Sequence, residues 1–152
     1  MHMTEPSAST QERQRWLAVL ARAPRQRLEG AFLQLAPPAH ELVRKPECGM
    51  AMLRGRVGGT GDAFNLGEAT VTRCAARVGD FLGVGYLLGR DRRRAELIAV
   101  FDALLQDEAR RGTILRDLVE PLAREQAEVR AARGRDVAAS RVEFFTMVRG
   151  EA

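Results

Sequence analysis

Glu68 to Asp91 reads EATVTRCAARVGDFLGVGYLLGRD, and this stretch decides the fold. Glu68 to Val78 alternates in the manner of a strand with two unlike faces. Gly79-Asp80 marks a turn. Phe81 to Gly89 (FLGVGYLLG) is a further apolar strand, with Leu82, Val84, Tyr86 and Leu88 on one face. Asp91 then starts a helix, where a carboxylate is favourable to the dipole.

Upstream, Glu41 to Val57 also reads as extended chain. Met50, Met52, Arg54 and Arg56 share one side, and Ala51, Leu53, Gly55 and Val57 share the other. A glycine-rich loop, GGTGDAFNLG (Gly58 to Gly67), joins it to the next strand. Three consecutive strands at hairpin-like spacing imply an antiparallel meander over 40–89. Before it stands a helix pair over 10–36. Thr10 is positioned to cap the first helix, whose stripe is Arg13, Trp16, Leu17 and Leu20. Pro24 suits the first turn of the second, which carries Leu28, Phe32 and Leu35 and stops at Pro37-Pro38. Residues 1–9 read as a disordered lead.

Downstream, residues 91–137 read as helices. In the first, Ala95, Ile98, Ala99 and Asp102 form one stripe, widened by Leu97, Val100, Phe101, Leu104 and Leu105. Gly112 is expected to end it, another helix is expected from Thr113, and Pro121 to interrupt that one. A polar, alanine-rich helix follows from about Leu122 to Arg133, as an arm. The tail over 139–150 returns to strand-like residues. The expectation is one α+β domain over 1–152, with an antiparallel sheet of four to five strands flanked by helices.

Composition narrows the function. The net charge of +4 and pI of about 10.0 come almost wholly from arginine, and are too modest to indicate a nucleic-acid binder. The chain carries no apolar run long enough for a membrane span and no apolar core of a signal peptide, which favours the cytoplasm. Cys48 and Cys74 belong to no paired motif, and His2 and His40 have no ligand spacing, so no metal site is expected.

Three features could carry a site. Gly58, Gly59, Thr60 and Gly61 could form a phosphate-holding nest, yet no Gly-Lys-Ser/Thr follows and a strand, not a helix, comes next. Taken alone, a wide hairpin connection using glycine for positive φ is the better explanation of them. Arg54, Arg56, Arg73 and Arg77 could form an anion-binding surface, a partner interface or solvated strand edges. Gly89-Arg90-Asp91 is followed by Arg92 to Arg94 in a first helical turn, where cations oppose the dipole and so suggest other partners. No Ser–His–Asp or Cys–His arrangement is present, and no catalytic residue is assigned. Last, SRVEFFTMVRG (Ser140 to Gly150) is too apolar for a free end. It either closes the domain's own sheet or docks on another chain.

Three segments in order resemble the PhnG family of the bacterial carbon–phosphorus lyase system: VGGTGDAFNLGEATVTR (Val57 to Arg73), GYLLGRDRRRAELIAVFDAL (Gly85 to Leu104) and ASRVEFFTMVRG (Ala139 to Gly150). RQRWLAVLA (Arg13 to Ala21) fits as well, while Val57 departs from a common methionine. The resemblance implies a subunit of a core complex with PhnI as the most direct partner, alongside PhnH, PhnJ and PhnL. It implies support for forming α-D-ribose 1-methylphosphonate 5-triphosphate from ATP and alkylphosphonate, with release of adenine. The iron–sulfur cluster and S-adenosylmethionine are implied for PhnJ, and no cofactor for this chain, whose two cysteines cannot supply a four-cysteine cluster. The family-motif residues Gly58, Gly59, Thr60, Gly61, Arg73, Gly89, Arg90, Asp91, Arg141, Phe144, Phe145 and Arg149 are then expected to face an interface or a ligand. The alternative places a phosphate, nucleotide or catalytic site within this chain, on Gly58 to Gly61 with Arg73 and Arg90.

Overall fold

The computed structural model describes residues 8–56 and 61–149, with side chains as far as residue 138. Most of the expected lead, residues 1–7, lies outside the described residues. The element order is α1 (Thr10–Ala21), α2 (Arg25–Leu35), β1 (Glu41–Arg56), β2 (Ala63–Val78), β3 (Phe81–Leu88), α3 (Arg92–Gln106), α4 (Glu108–Ile114), a π-helical turn (Leu115–Val119) and α5 (Glu120–Arg149). The class is α+β, as expected. Among the described residues the sheet has three antiparallel strands in the order β1-β2-β3, not four or five.

The strand expected at the tail is instead helical backbone, continuous with α5. Strong helix formers fill Leu122 to Ala139, and once a helix is running each added residue gains a hydrogen bond without a new nucleus. Val142, Phe145 and Val148 also satisfy a three-residue period, so the apolar pattern there suits either state.

Local chemistry fixes the other boundaries. Ser9, not Thr10, caps α1: its Oγ accepts from the Glu12 N–H at 3.1 Å, and Glu12 Oε2 accepts from the Ser9 N–H at 3.1 Å. Asp91 caps α3 by accepting from the Arg94 N–H at 3.0 Å. Gly112 does not end a helix; the break falls at Asp107, whose carboxylate accepts from the Ala109 N–H at 3.0 Å and restarts the chain as α4. Gly112 lies inside α4 with open space about it. Nor does Pro121 interrupt the helix. The π turn directly before it, where the Glu120 N–H bonds to the Leu115 carbonyl, loosens the backbone at the point where the proline ring would crowd the preceding turn.

Helix α3 is the centre of the molecule. Leu97 to Leu105 are all buried, because the sheet covers one side and α1, α2 and α4 pack on the rest. It rests directly on β3 at Gly83 and Gly85, where an added Cβ would overlap the carbonyl oxygens of Ala99 and Ala95. On β3 the positions facing α3 are therefore Gly83, Gly85 and Leu87, all buried. Among the described residues no helix is long and apolar enough to cross a membrane.

Candidate functional site

β3 pairs only with Val71 to Val78, while β1 and β2 run on together for eight more residues. Met50 to Arg56 and Ala63 to Thr70 therefore form a two-stranded ribbon projecting beyond the three-stranded sheet. Its reach is about 25 Å at roughly 3.3 Å per residue. Both of its edges lack strand partners, and Met50, Met52, Leu53, Phe64 and Leu66 are exposed on it, Leu66 by 62%. A bulge at Leu66, between the Leu53–Gly67 and Arg54–Asn65 pairs, bends it; Gly67 there has φ 142°, which favours glycine.

The sheet face turned away from α3 is also apolar. Leu82, Val84, Tyr86 and Leu88 are exposed there, in cross-strand register with Arg77, Ala75, Arg73 and Val71. Half of the β3 edge is closed by α3: Asp102 Oδ2 accepts from the Val84 N–H at 2.9 Å, and Gln106 Nε2 donates to the Leu82 carbonyl at 2.7 Å. The start of β1 is protected differently, by Arg44, Lys45 and Pro46.

A hollow of about 430 Å³ lies at the root of the ribbon, lined by Cys48, Gly49, Met50, Thr70, Arg90 and Arg92. Its wall is the turn after β3. Gly89 adopts φ 106°; its N–H donates to the Thr70 carbonyl at 2.8 Å, and its own carbonyl accepts from Thr72 Oγ1 at 2.6 Å. That double anchorage to β2 fixes where Arg90 starts.

The residues singled out in the sequence are dispersed. Gly58, Gly59 and Thr60 lie outside the described residues; Gly61 stands two residues before β2 at the far end of the ribbon. The first eight residues of β2, roughly 25 Å of strand, separate it from Thr70 and the Arg90 turn. Arg73 faces outward beside Tyr86, opposite Glu47, on the other side of the sheet from the hollow. Arg54 and Arg56 ride on the ribbon opposite Asn65 and Ala63, so the four strand arginines do not make one patch. Arg141, Phe144, Phe145 and Arg149 belong to the last turns of α5, and their side chains lie outside the described residues. The ribbon's apolar dressing and the pairing of Arg92 with Arg90 at one hollow were not read from the sequence. Alternation alone leaves undecided which side of a strand is covered.

Several charged groups elsewhere are paired. The Arg93 guanidinium holds the Glu29 carboxyl below its usual range by a 2.8 Å hydrogen bond, and Arg15 does the same to Glu120. His40 Nε2 meets Glu96 Oε1 at 2.8 Å. Among the described residues no three His, Cys, Asp or Glu side chains converge as a metal site.

Comparison with known proteins identifies relatives along nearly the whole chain. The family described as "Phosphonate metabolism protein PhnG" matches residues 11–150. A protein of Rhizobium meliloti (strain 1021), named alpha-D-ribose 1-methylphosphonate 5-triphosphate synthase subunit PhnG, is 44% identical over 150 residues, covering 97% of this chain and 96% of the relative. The ribbon, the anchored Gly89 turn and the α5 arm thus occur on a chain that belongs to the PhnG family.

Proposed function

We propose that this chain is a non-catalytic subunit of an alpha-D-ribose 1-methylphosphonate 5-triphosphate synthase within the carbon–phosphorus lyase complex, acting in organic phosphonate catabolism. The near full-length likeness to a synthase subunit supports the reaction. The observation that carries the subunit role is the bare ribbon. A two-stranded hairpin is marginal in water by itself, and one carrying five exposed large apolar side chains gains stability when another surface covers it.

In this reading the ribbon and the outer face of β3 dock on other subunits, PhnI most directly, with PhnH, PhnJ and PhnL in the same assembly. The chain holds no cofactor of its own; ATP is the substrate of the complex, and the iron–sulfur cluster and S-adenosylmethionine belong to PhnJ. Docking shields the transfer site, so that phosphonate rather than water attacks the ribose. Exclusion of water and positioning of the nucleophile are both sources of rate and selectivity.

The test is a product ratio. PhnI is incubated with ATP and methylphosphonate, with and without this chain. Adding the chain is expected to raise the phosphonate adduct relative to free ribose triphosphate. An unchanged ratio sinks the shielding role.

A further inference from the structure

We infer that the hollow at the root of the ribbon binds a phosphate-type oxyanion, held between Arg90 and Arg92 with the Thr70 hydroxyl on its wall. At this end of the molecule Arg25 pairs with Asp91 and Glu29, Arg93 with Glu29 and Glu96, and Arg94 donates to the Ala21 carbonyl. Arg90 and Arg92 have no hydrogen bond or ion pair among the described residues, yet both line one hollow.

Among the described residues no carboxylate lines that hollow with them. Asp91, the residue between the two arginines, is engaged elsewhere: it caps α3 through the Arg94 N–H and meets Arg25 at 3.6 Å. Both side chains are exposed, so solvent screens their mutual repulsion, and an anion seated in the hollow would be reached by two guanidiniums at once. Their planar forks suit the tetrahedral oxygens of phosphate or phosphonate.

The hollow is also built rather than incidental. Gly89, in a backbone conformation that favours glycine, is bonded to β2 through both its N–H and its carbonyl, and this sets the root of Arg90. Thr70 Oγ1 is occupied only by a long 3.7 Å contact to Met50 Sδ, which leaves the hydroxyl able to turn toward an oxyanion. The volume, about 430 Å³, is within the range of roughly 300–1,000 Å³ usual for small-ligand sites, enough for a phosphate chain. The inference stands on these residues and does not depend on how the ribbon docks.

The full chain is titrated calorimetrically with inorganic tripolyphosphate and, separately, with methylphosphonate. Binding of either is expected, weakened about tenfold or more in the Arg90→Gln/Arg92→Gln double variant through loss of charge-assisted hydrogen bonds. It should be unchanged in Arg116→Gln, whose side chain pairs with Asp117 and does not line the hollow. Amide resonances of Thr70 and Gly89 should shift on binding. Preference for tripolyphosphate assigns the site to a nucleotide's phosphate chain; preference for methylphosphonate assigns it to the phosphonate. No binding at millimolar ligand, or equal binding by the double variant, overturns the inference. Co-purification of the double variant with the other subunits is read alongside. Intact assembly with lost anion binding separates this site from the docking role, whereas lost assembly with no anion binding by the parent chain assigns the arginines to a partner's carboxylates and overturns it.

Discussion

At the scale of single residues, Asp102 carries the most interactions. It is fully buried, yet it accepts from Arg13 Nε at 3.2 Å and Nη2 at 2.7 Å, from Trp16 Nε1 at 2.9 Å and from the Val84 N–H at 2.9 Å. One carboxylate thus joins α1, α3 and the edge of β3, and its hydrogen bond holds the Arg13 guanidinium more firmly protonated. Asp102→Asn keeps the shape but removes the charge, leaving the half-buried Arg13 without its counter-ion and turning an amide N–H₂ toward other donors. The expected loss is about 2–4 kcal/mol in urea unfolding, with a changed near-ultraviolet signal from Trp16. A loss below roughly 0.5 kcal/mol, the scale of a neutral surface change, contradicts the role. Gly85 makes a second residue-scale prediction. Its missing Cβ is what lets the α3 backbone touch β3, so Gly85→Ala should cost about 3 kcal/mol or more, or prevent folding. In the sequence Asp102 stands in the apolar stripe of α3, but its partners lie up to 89 residues away and no local spacing announces them.

At the scale of elements, the ribbon separates folding from assembly. Met52 and Leu66 are 56% and 62% exposed, so Met52→Ser/Leu66→Ser removes little that is buried in the free chain. Its urea midpoint should move by no more than the roughly 0.5 kcal/mol typical of surface changes, while co-purification with the other subunits falls several-fold. A double variant that assembles as well as the parent removes the ribbon from the docking surface. Much of this level was legible beforehand. The alternation of Glu68 to Gly89 and the Gly79-Asp80 turn placed β3 and most of β2, though Ala63 to Gly67, read as part of the glycine-rich loop, is strand, and the Trp16 and Leu28 periodicities placed the helix pair. What escaped was continuity. Gly112 and Pro121 read as helix stops, yet an Asp107 cap moved one break and a π turn absorbed the other. The tail read as a strand because its residues favour strands locally, whereas the backbone follows the long helix it joins. The candidate hollow escaped for a related reason: Thr70 and Arg90 meet only through strand register and the Gly89 anchorage, which no single segment contains.

For the whole molecule, α1, α2, the sheet and α4 all pack on α3, and the ionisable groups placed around that core shape the pH range of stability. On the acid side Glu29 and Glu120 are held below the ordinary carboxylate range by Arg93 and Arg15. Their contribution is present above the unfolded value of 4.5 and is lost as pH falls through the folded values, a shallow decline because all four side chains reach solvent. On the alkaline side the decisive group is Cys74, 3% exposed on the sheet face under α3. Burial first, and the Glu96 charge second, push its thiol up to about 11 from an ordinary 9.0. Between those values the unfolded chain releases the thiol proton while the folded chain keeps it, so the folded state binds more protons and stability falls with rising pH. The expected profile is a plateau from about pH 5 to 9, with a decline from 9 to 11 steeper in the parent than in Cys74→Ala. The comparison rests on the slopes, because the alanine also leaves a small void that lowers stability at every pH. Urea midpoints collected from pH 7 to 11 decide it: parallel alkaline slopes in the two proteins place the loss on other groups, and convergence of the two curves as pH rises places it on the thiol beneath α3.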